Sequence, residues 1–252
     1  MPLARAGGVD LFYAVRPGAG PSIILVHGAG GSHLTWPPAL RHLRHAAVYA
    51  IDLPGHGRAS GEGRDRIVEY AADLVGLIDA LGVDQVVLVG HSMGGAVVQE
   101  TALMVPERVV GLMLLGTGAR LRVSETLLAG LPEDFERTVD LITRWSWGPA
   151  ADDEMVARGR DLMLRGDPHV LLCDLLACDR FDARGRAPGI AAPTRVVTGA
   201  EDRMTPPRLG RSLTELIPGA RFHLLPGAGH MVMVEQPEAV ARILVDLLEQ
   251  VG

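Results

Sequence analysis

The segment Gly90-His91-Ser92-Met93-Gly94 places a serine between two glycines. A serine hydroxyl attacks a carbonyl only when a base takes its proton and a third group orients that base. The surrounding residues suit the task. An apolar run, Val86-Val87-Leu88-Val89, leads into the motif, and a helix-like stretch from Met93 to Met104 leaves it. A serine on such a strand-to-helix turn has its Oγ pushed out of the sheet edge. Glycine on both sides lets strand and helix approach closely. The competing reading is a glycine-rich packing turn whose serine caps the helix.

A base must come from the nine histidines. His230 ends Pro226-Gly227-Ala228-Gly229-His230, a glycine-rich loop just past the last apolar run. In a parallel sheet, loops beyond the strand C-termini build the site, so His230 is the expected base. His27 and His91 flank tight turns and read as structural. His56 lies on a loop after a strand. His33, His42, His45, His169 and His223 sit in no motif and read as solvated or satisfied. The orienting acid is expected on Gly199-Ala200-Glu201-Asp202-Arg203-Met204-Thr205-Pro206, after the run Thr194–Thr198. Asp202 is the choice and Glu201 the alternative, since a glutamate can fill this role. The resulting order, Ser92, Asp202, His230, is that of a nucleophile elbow and not of the two well-known protease arrangements. The oxyanion needs two donors: the Met93 N–H at a helix start, and the Ala29 N–H of the loop His27-Gly28-Ala29-Gly30-Gly31-Ser32, with Gly30 second. That loop carries no Lys-Ser/Thr ending and no dinucleotide fingerprint, so a phosphate-loop reading is rejected.

The elements positioning these loops alternate. Val9–Val15, Ser22–Val26, Ala47–Ile51, Gln85–Val89, Val109–Leu115, Thr194–Thr198 and Phe222–Leu225 read as strands. Ile67–Leu81, stopped by Gly82, and Pro237–Val251 read as amphipathic helices. Strands alternating with helices imply right-handed crossovers and a parallel sheet covered on both faces. Between about Arg122 and Gly189 the strand signal disappears, and helical periodicity occurs over Phe135–Trp145, Met155–Met163 and, after Asp167-Pro168, Val170–Leu176. Residues 1–121 and 190–252 are therefore expected to form the core domain, and 122–189 an all-helical insertion.

Composition bounds the class. At 252 residues and 48% hydrophobic, the chain suits one large α/β domain or a domain with an insertion. The net charge of −6 argues against a nucleic-acid surface. All 24 basic residues are arginine, so no lysine can form a Schiff base or cradle a phosphate. The two cysteines, Cys173 and Cys178, fit no zinc or redox spacing and read as buried small residues. The N-terminus lacks an apolar run of signal-peptide length, and no stretch approaches a membrane span, so a soluble cytoplasmic protein is expected.

Together these motifs, with Trp36 and Asp52-Leu53-Pro54-Gly55-His56-Gly57, resemble the α/β-hydrolase superfamily in its capped, serine esterase-like branch. The resemblance covers nearly the whole chain. It implies a mostly parallel central sheet of about eight strands, helices on both faces, and a helical cap inserted after the sixth strand. Departures prune other branches. Haloalkane dehalogenases and epoxide hydrolases use an aspartate nucleophile where this chain has Ser92. Dienelactone-hydrolase-like enzymes use cysteine there. Ring-cleavage carbon–carbon hydrolases often carry asparagine where His91 stands, and proline iminopeptidases differ at Ala29 and Met93.

The expected activity is carboxylesterase-type hydrolysis of small to medium esters through an acyl-enzyme on Ser92, His230 and Asp202. Lactone, thioester or carbon–carbon hydrolysis, or perhydrolysis, on the same triad is the alternative; a non-catalytic ligand-binding member is the other. Trp145, Trp147 and Phe135 are candidate substrate-binding residues, with insertion packing as the competing role. No cofactor or metal is implied, and the expected partner is a small-molecule ester, with no nucleic acid and no membrane.

Overall fold

A computed structural model describes residues 2–44 and 46–252. His45 lies outside the described residues. The strands are β1 (Leu3–Ala6), β2 (Val9–Arg16), β3 (Ser22–Val26), β4 (Ala47–Ile51), β5 (Val86–His91), β6 (Val109–Leu115), β7 (Thr194–Gly199) and β8 (Arg221–Leu225). The helices are α1 (Pro38–Arg41), α2 (Ile67–Ala80), α3 (Met93–Met104), α4 (Glu125–Glu133), α5 (Phe135–Ser146), α6 (Asp153–Leu164), α7 (Pro168–Arg180), α8 (Pro207–Leu216), α9 (Val232–Glu235) and α10 (Pro237–Val251).

The strands form one eight-stranded sheet in the order β1-β2-β4-β3-β5-β6-β7-β8. Pairing is parallel from β4 through β8, and β2 is antiparallel to both β1 and β4. Side chains alternate across the pleat. Ile24, Val26, Val86 and Leu88 point into one core with Tyr70 and Leu74 of α2 and Val97 of α3. Ile23, Leu25, Val87 and Val89 point into the other, with Leu40 of α1 and Leu244 and Leu247 of α10. Every residue of β5 is buried. That is why its sequence is a continuous apolar run, and it gives the turn at Ser92 a rigid base. Among the described residues, no helix is long and apolar enough to cross a membrane.

The segment between β6 and β7 holds α4, α5, α6 and α7 around a small core of Leu127, Leu131, Val139, Ile142, Leu171 and Leu175. Helix α4 is additional to the three helical stretches read from sequence. Pro132 near its end and a weak apolar repeat obscure it; Ser124, whose Oγ accepts from the Thr126 N–H, starts it. Asp167 caps α7 in the expected manner, accepting from the His169 N–H at 2.8 Å. Both cysteines lie in α7, buried and free.

Candidate active site

Ser92 stands between the C-terminal end of β5 and the first turn of α3, at φ 53° and ψ −116°. It is the one non-glycine residue with positive φ among the described residues. Such a conformation costs on the order of 1–3 kcal/mol and persists only where the surroundings enforce it. They do so here: the Ser92 N–H donates to Leu115 O at 2.9 Å, and Thr117 Oγ donates to Ser92 O at 2.9 Å. Gly94 lets the turn close against β3, since a Cβ there would lie 2.2 Å from Val26 O. The Ser92 side chain makes no capping bond to α3, which removes the helix-cap reading of the motif.

Asp202 and His230 meet from different loops. His230 Nδ1–H donates to Asp202 Oδ2 at 2.9 Å, and both residues are buried. Asp202 Oδ1 accepts the backbone N–H groups of Met204 at 2.9 Å and Thr205 at 2.8 Å, and Thr205 Oγ donates to Oδ2 at 2.8 Å. Burial opposes the charge on Asp202, but His230 and the Thr205 donors outweigh it and hold the carboxyl below its ordinary range. Glu201, the alternative acid, is exposed. The backbone of the His230 loop is docked on the helical insertion: the His230 and Met231 N–H groups donate to Ser146 O at 2.8 and 3.1 Å, and Glu235 Oε2 accepts from Gly229 at 3.0 Å and Gly148 at 2.9 Å.

The structural histidines divide as their partners dictate. His91 Nε2–H donates to His230 O at 3.0 Å, and burial and the neighbouring His230 pull its pKa down to about 3. His27 donates from Nδ1 to Gly28 O and accepts at Nε2 from the Leu53 N–H, and burial keeps it neutral. His33 is buried against Asp52, at 2.9 Å. His56 donates from Nδ1 to Pro54 O at 3.0 Å and from Nε2 to Asp174 Oδ2 at 2.8 Å. Burial would lower its pKa, but the Asp174 carboxylate reverses the sign and raises it.

Ser92 and His230 open into one cavity of about 940 Å³, which Ala29 also lines. Neither the Ala29 N–H nor the Met93 N–H meets an acceptor among the described residues, so both donors are free for a developing oxyanion. The Gly30 N–H is taken, donating to Asp174 Oδ2 at 2.8 Å, which leaves Ala29 as the loop's donor. Trp145, Trp147, Met155 and Met163 line the same cavity. Phe135 does not. It opens α5 while Trp145 stands at the other end, ~15 Å along the axis at ~1.5 Å per residue, and its ring packs on the core of the insertion.

Two contributors escaped the sequence reading. Thr205 holds Asp202, and its signal is the Asp-x-x-Thr spacing, in which a carboxylate accepts from backbone two and three residues on. Asp174 is fully buried, and its signal is a carboxylate within the apolar stripe of Val170, Leu171, Leu175 and Cys178.

Several known proteins are similar to this chain over nearly their whole length. A solved thermophilic esterase is 33% identical, superposes with a TM-score of 0.87, and is matched over 100% of this chain and 98% of its own. The enol-lactonase of Burkholderia xenovorans LB400 is 28% identical with a TM-score of 0.88, covering 98% of this chain and 100% of that one. The pimeloyl-[acyl-carrier protein] methyl ester esterase of Chromobacterium violaceum is 30% identical over 92% of this chain and 96% of its own. Residues 23–243 match the model of the alpha/beta hydrolase family, and the chain belongs to that family.

Proposed function

We propose that this hydrolase cleaves small to medium carboxylic esters through an acyl-enzyme intermediate. Ser92 Oγ attacks the ester carbonyl, and its proton passes to His230 Nε2. Asp202 keeps the proton on Nδ1, so that Nε2 is a lone-pair acceptor at the start of the reaction. The Ala29 and Met93 N–H groups receive the developing oxyanion, helped by the N-terminal dipole of α3. His230 then protonates the leaving alcohol, and a water deprotonated by His230 releases the acid and restores the Ser92 hydroxyl. The helical insertion acts as a cap, and Trp145 and Trp147 bound the apolar part of the substrate.

The observation that carries the reading is the strained turn at Ser92 opening into the same cavity as an Asp202-held His230, with two uncommitted backbone donors beside it. The esterase and lactonase relatives support ester-type carbonyl chemistry. Turnover of nitrophenyl esters of increasing acyl length tests it. The expected profile is Ser92-dependent hydrolysis that passes through a maximum in chain length and falls when the cavity is filled. Equal turnover by wild type and Ser92→Ala would reject it. A parallel lactone series asks whether the ring-opening reaction of the lactonase relative is shared.

A further inference from the structure

The oxyanion loop receives a side chain from outside the α/β core. We infer that Asp174, on α7 of the helical insertion, is a positioning residue that fixes the peptide planes of the oxyanion loop and so aims the Ala29 N–H at the reacting carbonyl. The inference rests on the hydrolytic reading above and concerns the same site.

Asp174 is fully buried. Its Oδ2 accepts from the Gly30 N–H at 2.8 Å and from His56 Nε2 at 2.8 Å, and its Oδ1 accepts from the Tyr70 hydroxyl at 2.6 Å. The Tyr70 oxygen in turn accepts from the Arg64 N–H at 2.9 Å, so its own proton points to Asp174. Both carboxylate oxygens are thus engaged, Oδ2 twice and Oδ1 once. His56 donates from Nδ1 to Pro54 O and meets Asp174 through Nε2, and the Asp174 carboxyl raises its pKa against the opposing effect of burial. The loop therefore hangs on a buried, fully partnered carboxyl that belongs to the insertion.

The Gly30 N–H is shared with the Ala29 carbonyl in one peptide plane. Holding that N–H on Asp174 fixes the plane C-terminal to Ala29. A bond from the Gly31 N–H to Gly28 O at 3.0 Å closes the turn around it. The Ala29 N–H meets no acceptor among the described residues, and Ala29 lines the cavity. Gly30 adopts φ +62°, and a Cβ there would lie 3.0 Å from Leu171 and 3.3 Å from Met163, so the same turn is pressed against α7 and α6. The plane that carries the Ala29 N–H is held at Gly28 O by Gly31 and His27; without Asp174 those bonds remain, but the next plane is released and the two-plane turn that aims the donor loses one of its supports. Full loss of one oxyanion donor costs about 10²–10³ in kcat, so a misaimed one should cost about 10- to 100-fold.

The test compares three variants with wild type. Asp174→Ala removes the acceptor. Asp174→Asn keeps an oxygen that can still accept from Gly30. The double variant His56→Leu/Asp174→Leu removes both partners together, so that no lone polar partner is left buried, and it carries the test should Asp174→Ala fail to fold. Turnover of a nitrophenyl ester is expressed per fluorophosphonate-titrated Ser92. Binding of a phenylboronic acid is measured by calorimetry: Ser92 Oγ adds to boron, its proton passes to His230, and no group leaves. The expected result is a kcat loss of about 10- to 100-fold in Asp174→Ala and in the double variant, with KM within about threefold. The boronate Kd should rise by the same factor, and Asp174→Asn should return to within about fivefold of wild type. Wild-type kcat and boronate affinity in the double variant, or an Asp174→Asn no better than it, would overturn the assignment. A wild type that binds the boronate but turns over no ester rejects the ester reading alone, and the boronate comparison then decides the role of Asp174.

Discussion

Replacing Asp202 with asparagine should do more than remove a charge, and the geometry says why. Asp202 Oδ1 accepts two backbone N–H groups, those of Met204 and Thr205. Backbone donors cannot turn into acceptors, so the carboxamide oxygen of Asp202→Asn must occupy the Oδ1 position. Its NH₂ then takes the Oδ2 position, facing His230 Nδ1 at about the 2.9 Å now spanned by the His230-to-Asp202 bond. Two donors cannot share one hydrogen bond, so His230 must move its proton to Nε2. In that tautomer Nε2, the proposed acceptor of the Ser92 proton, carries a hydrogen and no longer accepts. The analogous change in characterised serine proteases costs ~10⁴ in kcat, which is about 5.5 kcal/mol of barrier at about 1.4 kcal/mol per decade. Steady-state ester hydrolysis per titrated serine, with circular dichroism to verify folding, is the assay. A loss of less than about tenfold in a folded variant would refute the tautomer argument. A larger loss in Glu201→Gln than in Asp202→Asn would move the orienting role to Glu201.

Thr205→Val removes the Oγ donor to the buried Asp202 carboxylate while leaving the backbone bonds intact. A hydrogen bond to a charged group is worth about 1.5–3 kcal/mol, so urea denaturation should show a loss in that range, and an unchanged midpoint would contradict it. Gly94→Ala would drive a methyl into the Val26 carbonyl, and soluble expression should collapse; a folded, active Gly94→Ala would mean that α3 can retreat from β3. Stability should peak near pH 6.5. Buried neutral His91, with its pKa near 3, and His27 refuse protons that the unfolded chain binds below 6.5, so stability falls with pH there. His56 binds its proton more tightly folded than unfolded, so its contribution is complete below 6.5 and is lost as pH rises through its folded value. Denaturation midpoints across this range measure both limbs, and the double variant at His56 and Asp174 should flatten only the alkaline one.

Much of this was legible because strand-face alternation and glycine turns are local signals. The continuous apolar run of β5 announced a strand buried on both faces, and Gly90 and Gly94 announced the close approach that makes the turn at Ser92 possible. Strand β1 was not, because its four residues alternate between exposed and buried and carry one strongly apolar side chain, Leu3, which faces outward. Helix α8 was also silent: the Pro206-Pro207 pair reads as a loop, although Pro207 stands at its first position, where the missing N–H costs nothing. Phe135 was assigned to the substrate on residue type, but type does not say which end of α5 reaches the cavity. Asp174 and Gly30 are 144 positions apart, and no local pattern links a carboxylate on one helix to an amide on a distant loop. The triad residues carried by turns could be read, whereas Thr205 and Asp174, which act by holding other groups, could not.

The acyl-enzyme itself is the most direct object to measure. Enzyme mixed with a nitrophenyl ester, quenched in acid within the first turnover and digested, should yield the peptide containing Ser92 carrying one acyl group, visible by mass spectrometry. The adduct should be absent in Ser92→Ala. Nitrophenol release at the wild-type rate with no acyl group on Ser92, or with the acyl group on another residue, would contradict the account.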